Sequence, residues 1–190
     1  MVERRDRRDE ILSVAARRFA VSGFHGVSID DLGAELGISG PAIYRYFAGK
    51  DAILAEMLVD ISRRLLDGAR QRVAAPGTAA HHLAALIDFH TDFALADPDL
   101  IAVQFRDLGS APDRERRQVR QLQRSYVALW VEVLQEVHPG TSPQRAQSSV
   151  QAVFGLLNST PHSGRSGEPR LAELLRAMAA AALAAACTSP

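Results

Sequence analysis

The sequence predicts an all-α protein of about nine helices, with a small N-terminal group of three helices followed by a larger helical bundle. Apolar residues recur at helical spacing along most of the 190 residues, and no stretch alternates convincingly as a half-buried strand would. Hydrophobic residues make up 47% of the chain, which is enough for a sizeable core. Typical helix-start signals recur as well, in the sequences "SIDD", "DP" and "SP".

The first helices are delimited by local signals. The first is predicted over about residues 6–21, with Gly23 as its terminator. Ser28 is the predicted N-cap of the second helix, and Asp31 stands three residues later, as in a capping box. Gly37 is the predicted stop of that helix, so a tight turn should follow it.

The rest of the chain reads as long helices joined by short loops. A helix is predicted over residues 50–73, and "AAPGT" at residues 74–78 is the clearest linker. "HSGRSGEP" is predicted to be a loop. The remaining helices are predicted over residues 78–96, 98–108, 112–137, 143–160 and 168–186.

Composition excludes several classes of protein. Basic and acidic residues number 22 each, so the surface as a whole is not expected to bind polyanions. Cys187 is the single cysteine, which rules out an internal disulfide and fits a reducing cytoplasm. The first residues, "MVERRDRRDE", lack the apolar core of a secretory signal. No run convincingly matches the roughly 20 apolar residues of a membrane span.

The stretch "ISGPAIYRYFAGK", residues 38–50, predicts a short helix with a bare N-terminal end. Ser39 can cap this helix, and proline is harmless in the first turn, where its missing N–H would have no helical partner. Ile43 and Phe47 lie four residues apart and should face the core. The small residues at the start allow close backbone approach to a partner, and they are Gly40, Pro41 and Ala42.

Two short helices joined by a tight turn form the layout of a helix-turn-helix, whose second helix enters the DNA major groove by its N-terminal end. Tyr44, Tyr46 and Lys50 suit phosphate oxygens, and Arg45 suits a guanine edge or a phosphate. Residues 37–50 carry two positive charges and no negative one. The same pattern also fits a helical corner without DNA binding, and a helical protein–protein interaction module is therefore the alternative function.

Residues 8–58, "RDEILSVAARRFAVSGFHGVSIDDLGAELGISGPAIYRYFAGKDAILAEML", resemble the DNA-binding domain of TetR-family (TetR/AcrR) transcriptional regulators. The resemblance implies a helix-turn-helix domain over residues 1–50 and a ligand-binding and dimerisation domain over residues 51–190. It implies groove contacts at Gly40, Pro41, Ala42, Arg45 and Tyr46, phosphate contacts at Ser28, Tyr44 and Lys50, and Ser39 at the same DNA-facing end. The partners implied are a palindromic operator, a second copy of the chain and a small effector.

The effector site is expected among aromatic residues of the second domain, because ligand cavities are mostly apolar with a few fixed polar groups. Equally, aromatic residues at helical spacing are often plain core. Arg116, Arg117, Arg120 and Arg124 line one helix face, which is either solvated or a site for the phosphates of an acyl-CoA. The candidate ligand residues are Phe89, His90, Phe93, Phe105, Arg106, Tyr126, Trp130, Phe154 and Asn158.

The functional prediction is thus a cytoplasmic homodimeric repressor that a small, largely apolar effector releases from its operator. The dimer is expected through the helices over residues 143–160 and 168–186, which are rich in small and apolar residues. No cofactor, metal site or enzymatic activity is expected. His81, His82 and His90, with two nearby aspartates, resemble a metal site only superficially, because no second helix offers a matching Glu-x-x-His pair.

Overall fold

A computed structural model describes residues 2–164 and 167–187, and within these ranges the chain forms only helices, turns and loops. The all-α prediction is confirmed. The helices are Val2–Ser22 (α1), Ile29–Glu35 (α2), Gly40–Ile43 (α3), Lys50–Val73 (α4), Ala79–Ala96 (α5), Pro98–Asp107 (α6), Asp113–Val137 (α7), Pro143–Leu157 (α8), Thr160–Ser163 (α9) and Leu171–Cys187 (α10), with a 3₁₀ turn at Leu108–Ser110.

The predicted helix ends follow their local signals. Ser28 and Asp31 form the capping box: the Ser28 hydroxyl accepts from the Asp31 amide at 3.1 Å, and the Ser28 amide donates to the Asp31 carboxylate at 2.8 Å. Hydrogen bonds from the Ser28 hydroxyl and amide lower the pKa of the Asp31 carboxyl. Gly23 and Gly37 adopt φ of 77° and 66°, which lets the chain turn sharply after α1 and α2.

Several elements differ from their predicted extents: α1 already begins at Val2, and α10 begins at Leu171 instead of residue 168. α3 is a single turn, and the residues after it form a turn closed by bonds such as Tyr46 N to Ile43 O at 2.8 Å. α8 stops at Leu157 instead of reaching residue 160, and α9 begins at Thr160. Pro161 explains this break, because proline lacks the amide that a continuing helix needs and its ring clashes with the carbonyl four residues earlier.

The described residues form two compact units. Unit one comprises the residues up to Ser62 together with Asp99–Arg120, and unit two comprises Arg63–Pro98 together with the residues from Gln121 onward. The unit that holds the first three helices therefore takes in α6 and the start of α7 as well. The linear division into residues 1–50 and 51–190 stays a prediction.

Each unit has its own buried apolar side chains. In unit one, Phe19, Leu32 and Ile43 from the first three helices pack in one cluster with Val103 of α6 and Val119 of α7. In unit two, α10 packs against α5 and α8. Across the described ranges, none of the helices combines the length and hydropathy that a bilayer span requires.

Candidate DNA-binding surface and effector site

α2 and α3 touch through glycines. A Cβ added to Gly33 would lie 2.8 Å from the Ile38 carbonyl oxygen and 2.9 Å from the Gly40 amide nitrogen. A Cβ added to Gly40 would lie 1.9 Å from Asp30 Oδ1. Gly33 therefore lets the two helices cross at backbone contact, and Gly40 leaves room for the Asp30 side chain beside that crossing.

Gly33 is a residue that the sequence analysis missed. It lies inside α2, where glycine costs about 1 kcal/mol relative to alanine in a helix interior. Such a cost needs a packing reason, and the glycine within "DDLGAEL" was the signal that could have revealed the close helix crossing.

The side chains of α3 and the turn after it sort into an inner and an outer set, with two of the predicted groove residues in between. Ile43 and Phe47 are buried in the core of unit one. Tyr44 is 57% exposed, and Pro41 and Arg45 are exposed as well. Ala42 and Tyr46 are partly buried, and Ser39 is exposed at the N-cap position without a side-chain capping bond. The N-terminal end of α3 is therefore exposed at Ser39 and Pro41 and carries only small side chains, and the outward side chains of Tyr44 and Arg45 lie beside it.

Three predicted DNA contacts have structural roles inside unit one. Both donors of Ser28 are engaged with Asp31, since its hydroxyl also donates to that carboxylate at 2.7 Å. Gly40 is buried by Asp30. The Lys50 ammonium donates to the carbonyls of Phe24 at 2.8 Å and Val27 at 2.7 Å, which leaves one of its three donors. Their contacts with DNA stay predictions.

Six of the nine candidate ligand residues come together in unit two around the buried His90. The rings of His90 and Phe154 stack with centroids 4.8 Å apart, and Trp130 meets Phe154 edge-on at 5.0 Å. Tyr126 and Asn158 hydrogen-bond to the two imidazole nitrogens of His90 at 3.0 and 3.1 Å. We call this group, with Phe93, the aromatic cluster: His90, Phe93, Tyr126, Trp130, Phe154 and Asn158.

The hydrogen bonds of the aromatic cluster define the tautomer of His90. Burial lowers the pKa of His90 to about 4, so the imidazole is neutral at pH 7. The Asn158 Oδ1 atom only accepts, so Nε2 of His90 carries the proton and donates to it. Nδ1 then accepts from the Tyr126 hydroxyl, whose pKa is raised by burial. Tyr126, His90 and Asn158 are thus linked by two hydrogen bonds, and the rings of Trp130 and Phe154 pack against His90.

The other three candidate ligand residues lie elsewhere. The Phe89 ring packs on Gly68 of α4, and the Arg72 guanidinium stands 3.8 Å from the ring centroid. Phe89 and His90 are adjacent in a helix, so their side chains point about 100° apart. Phe105 and Arg106 belong to unit one, where Phe105 is 69% exposed.

Arg106 holds the end of α1. Its guanidinium donates to the carbonyl oxygens of Phe19 and Ala20, and it pairs with the buried carboxylate of Asp107. The last carbonyls of a helix lack intrahelical donors, and a cation there satisfies them. Arg106 is therefore a capping residue of unit one and is not part of the aromatic cluster.

Of the four arginines on one face of α7, Arg116 forms an ion pair and a hydrogen bond within unit one. Arg116 pairs with Asp113 and donates to the Gly109 carbonyl at 3.1 Å. Arg117, Arg120 and Arg124 are exposed, and no ion pair joins them to another residue of the described ranges.

The outer faces of α8 and α10 are depleted of charge and rich in small residues. Leu174 and Met178 are 48% and 45% exposed, whereas Leu175 and Leu183 are buried inside unit two. Gly155 lies exposed within α8, and a Cβ added there meets nothing within 4 Å. The exposed residues of the two helices include Gln147, Ser148, Gln151, Ala152 and Gly155 of α8, with Leu174, Met178, Ala181 and Ala182 of α10.

Unit two also holds an open cavity of about 420 Å³ beside α5 and α10. Leu83, Ile87 and Leu183 contribute apolar lining, and Arg176 lies at its edge in an ion pair with Asp88 at 2.9 Å. None of the nine candidate ligand residues lines this cavity.

Two curated relatives are regulators of Bacillus subtilis (strain 168). An uncharacterised HTH-type transcriptional regulator, YdgC, is 36% identical over 58 residues, which is 30% of this chain and 30% of that protein. The fatty acid metabolism regulator protein is 21% identical over 166 residues, which is 84% of each.

Two solved structures share the fold. A TetR-family transcriptional regulator from Bordetella parapertussis 12822 superposes with a TM-score of 0.82 at 22% identity, covering 96% of this chain and 94% of that one. The regulator FadR from Bacillus subtilis in complex with stearoyl-CoA superposes with a TM-score of 0.72 at 17% identity, covering 94% and 97%.

Family models account for most of the sequence. Residues 11–57, which contain the helix-turn-helix, match the model of bacterial regulatory proteins of the tetR family. Residues 76–186, more than half of the chain, match the tetracyclin repressor-like C-terminal domain. The protein therefore belongs to the TetR family of DNA-binding transcriptional regulators.

Proposed function

We propose that this TetR-family regulator is a cytoplasmic repressor that binds a palindromic operator as a homodimer and leaves it when an apolar effector enters unit two. The observation that carries the DNA-binding part is the α2–α3 crossing, in which two glycines place α3 with its small, exposed N-terminal edge outward. Regulators of this family typically act as transcription factors rather than enzymes, and we propose no catalytic role.

The proposed DNA contacts follow the exposure of the side chains. Pro41 and Ala42 approach the major groove, where small apolar groups meet thymine methyls. Arg45 reads a guanine edge, while Tyr44 and the remaining donor of Lys50 reach phosphates. Ser39 and Tyr46 flank this surface. The capping box at Ser28 and the crossing at Gly40 support the surface from behind.

The proposed effector is a small, largely apolar molecule such as an acyl-CoA. The aromatic cluster supports this choice, because it offers rings for an acyl chain and a His90–Tyr126–Asn158 chain for a polar anchor. A fatty acid metabolism regulator and a structure with stearoyl-CoA among the similar proteins support the same class. The exposed Arg124 of α7, which lies in unit two with the aromatic cluster, is a candidate for its phosphates.

This function is tested by measuring binding of the full chain to its native upstream DNA and to a scrambled duplex, with and without stearoyl-CoA. We expect at least about 1,000-fold preference for the operator. Stearoyl-CoA should weaken operator binding by about 5- to 150-fold, the range of typical allosteric coupling. Arg45→Ala should cost about 1–3 kcal/mol on the operator and little on scrambled DNA. Equal affinity of the wild-type chain for both duplexes would favour the interaction module instead.

The proposed dimer uses the outer faces of α8 and α10. Glycine in an exposed helix interior is unfavourable, and a Cβ added at Gly155 would meet no atom of the described residues within 4 Å, so close approach of a second copy supplies a reason for the glycine. Gly155→Arg should convert the dimer to a monomer in sedimentation velocity while leaving the thermal unfolding of the monomer cooperative. Gln71→Arg, on an exposed position of α4, is the control and should remain dimeric. A dimeric Gly155→Arg variant would place the interface elsewhere.

A further inference from the structure

Arg8 of α1 joins three parts of unit one through a single guanidinium. One of its terminal nitrogens donates to the carbonyl oxygen of Tyr46, in the turn after α3. The other donates to the carboxylate of Glu56 on α4. The guanidinium carbon also stands 4.3 Å from the centroid of the Phe47 ring.

The turn that Arg8 contacts contains the side chains proposed to reach DNA. α3 ends at Ile43, so Tyr44, Arg45 and Tyr46 lie outside the helix. Their backbone is held by turn bonds, of which Arg45 N to Ala42 O is 3.3 Å long. Carbonyl groups after a helix C-terminus lack helical donors, and here Arg8 supplies the donor for Tyr46.

We propose that Arg8 is a positioning residue for operator recognition, which orients the turn 44–46 from the protein side and does not itself contact DNA. The proposal rests on the proposed role of α3 and the turn after it. An N-terminal arginine close to a DNA-reading helix is an obvious phosphate contact, but two of the five N–H donors of Arg8 bind acceptors within unit one and hold the guanidinium against the turn and α4. Arg7, its neighbour, instead pairs with Glu10 on the surface of α1 at 2.7 Å.

Arg8→Gln and Arg7→Gln form a matched pair, because each removes one positive charge from the same turn of α1. We expect Arg8→Gln to weaken operator binding by about tenfold or more, in line with the loss of a charged hydrogen bond. The slope of log affinity against log salt should stay unchanged, whereas loss of a phosphate contact would reduce it by about one. Arg7→Gln should bind within about twofold of the wild type, as its exposed pair contributes little.

The direction in which Glu56→Gln changes operator affinity distinguishes a phosphate contact by Arg8 from a positioning role. If Arg8 contacts phosphate, removal of its acidic partner makes the DNA-facing side more positive and tightens binding. If Arg8 positions the turn, loss of the Glu56 carboxylate loosens the guanidinium and weakens operator binding. Arg8→Lys keeps the charge but cannot bridge two acceptors with a planar fork, so it should restore operator affinity only in part.

A second readout needs no DNA. Amide hydrogen exchange of residues 40–49 in the free, full-length protein should be faster in Arg8→Gln than in Arg7→Gln, with the thermal midpoint recorded for each variant. If the wild-type chain shows no operator preference, the proposed function fails, and this measurement still tests Arg8. The inference is overturned if Arg8→Gln matches Arg7→Gln in exchange and affinity, if its salt slope falls by about one, or if Glu56→Gln binds operator more tightly.

Discussion

Replacing Gly33 by alanine should abolish specific operator binding while leaving unit two folded. The new methyl group would lie 2.8 Å from one backbone oxygen and 2.9 Å from a backbone nitrogen, and backbone atoms cannot rotate away as a side chain would. α2 and α3 must therefore separate. Overpacking of this kind costs about 1–3 kcal/mol, which equals or exceeds the gain of about 1 kcal/mol that alanine brings to a helix.

The measurement is operator affinity by fluorescence anisotropy, together with urea denaturation. We expect operator affinity to fall to that for scrambled DNA, because a shifted α3 would misplace Arg45, the residue proposed to read a base edge. Ala34→Gly is the matched control: it also disturbs α2, at an exposed position, but adds no atom between the helices. Wild-type operator affinity in Gly33→Ala would contradict a close crossing of α2 and α3.

The free energy of unfolding should fall steeply between pH 6.5 and pH 4 because of His90. Its pKa is about 4 in the folded protein against 6.5 ordinarily, so the unfolded chain binds more protons in this interval. The contribution of the neutral His90 imidazole to the free energy of unfolding is fully present above pH 6.5 and is lost as the pH falls towards 4. The loss amounts to roughly 3 kcal/mol, from 1.36 kcal/mol per pKa unit.

Urea denaturation at closely spaced pH values between 4 and 7.5 measures this loss. His90→Gln should be less stable than the wild type at pH 7, since it disturbs the bonds to Tyr126 and Asn158. The variant should also lack about 3 kcal/mol of the pH dependence. His81→Gln, at an exposed position of α5, is the control and should follow the wild-type curve. Equal pH dependence in His90→Gln and the wild type would mean that His90 is not held neutral by burial.

Features decided within a few residues of the chain were predictable from the sequence. The cap at Ser28, the turns at Gly23 and Gly37, and the start of α8 at Pro143 all follow from local chemistry. The inward side of Ile43 and Phe47 follows from their spacing of four residues.

Features that depend on distant residues were not predictable from the sequence. Arg8 meets Tyr46 across 38 positions and Arg106 meets Phe19 across 87, and neither pairing leaves a periodic signal in the chain. Phe89 and His90 are adjacent in the sequence, but Phe89 packs on Gly68 whereas His90 packs within the aromatic cluster. Sequence spacing alone does not distinguish these two positions.

The division of the units has a consequence for the order in which the protein folds during synthesis. Unit one needs Val103, Ala111 and Val119 to complete its core, and these residues follow Arg63–Pro98, which belongs to unit two. A nascent chain that ends near residue 62 contains the whole helix-turn-helix but leaves the apolar side of its helices without these partners. Completion of unit one must therefore await about twice that length of chain, and an isolated N-terminal fragment is a poor substitute for the intact regulator.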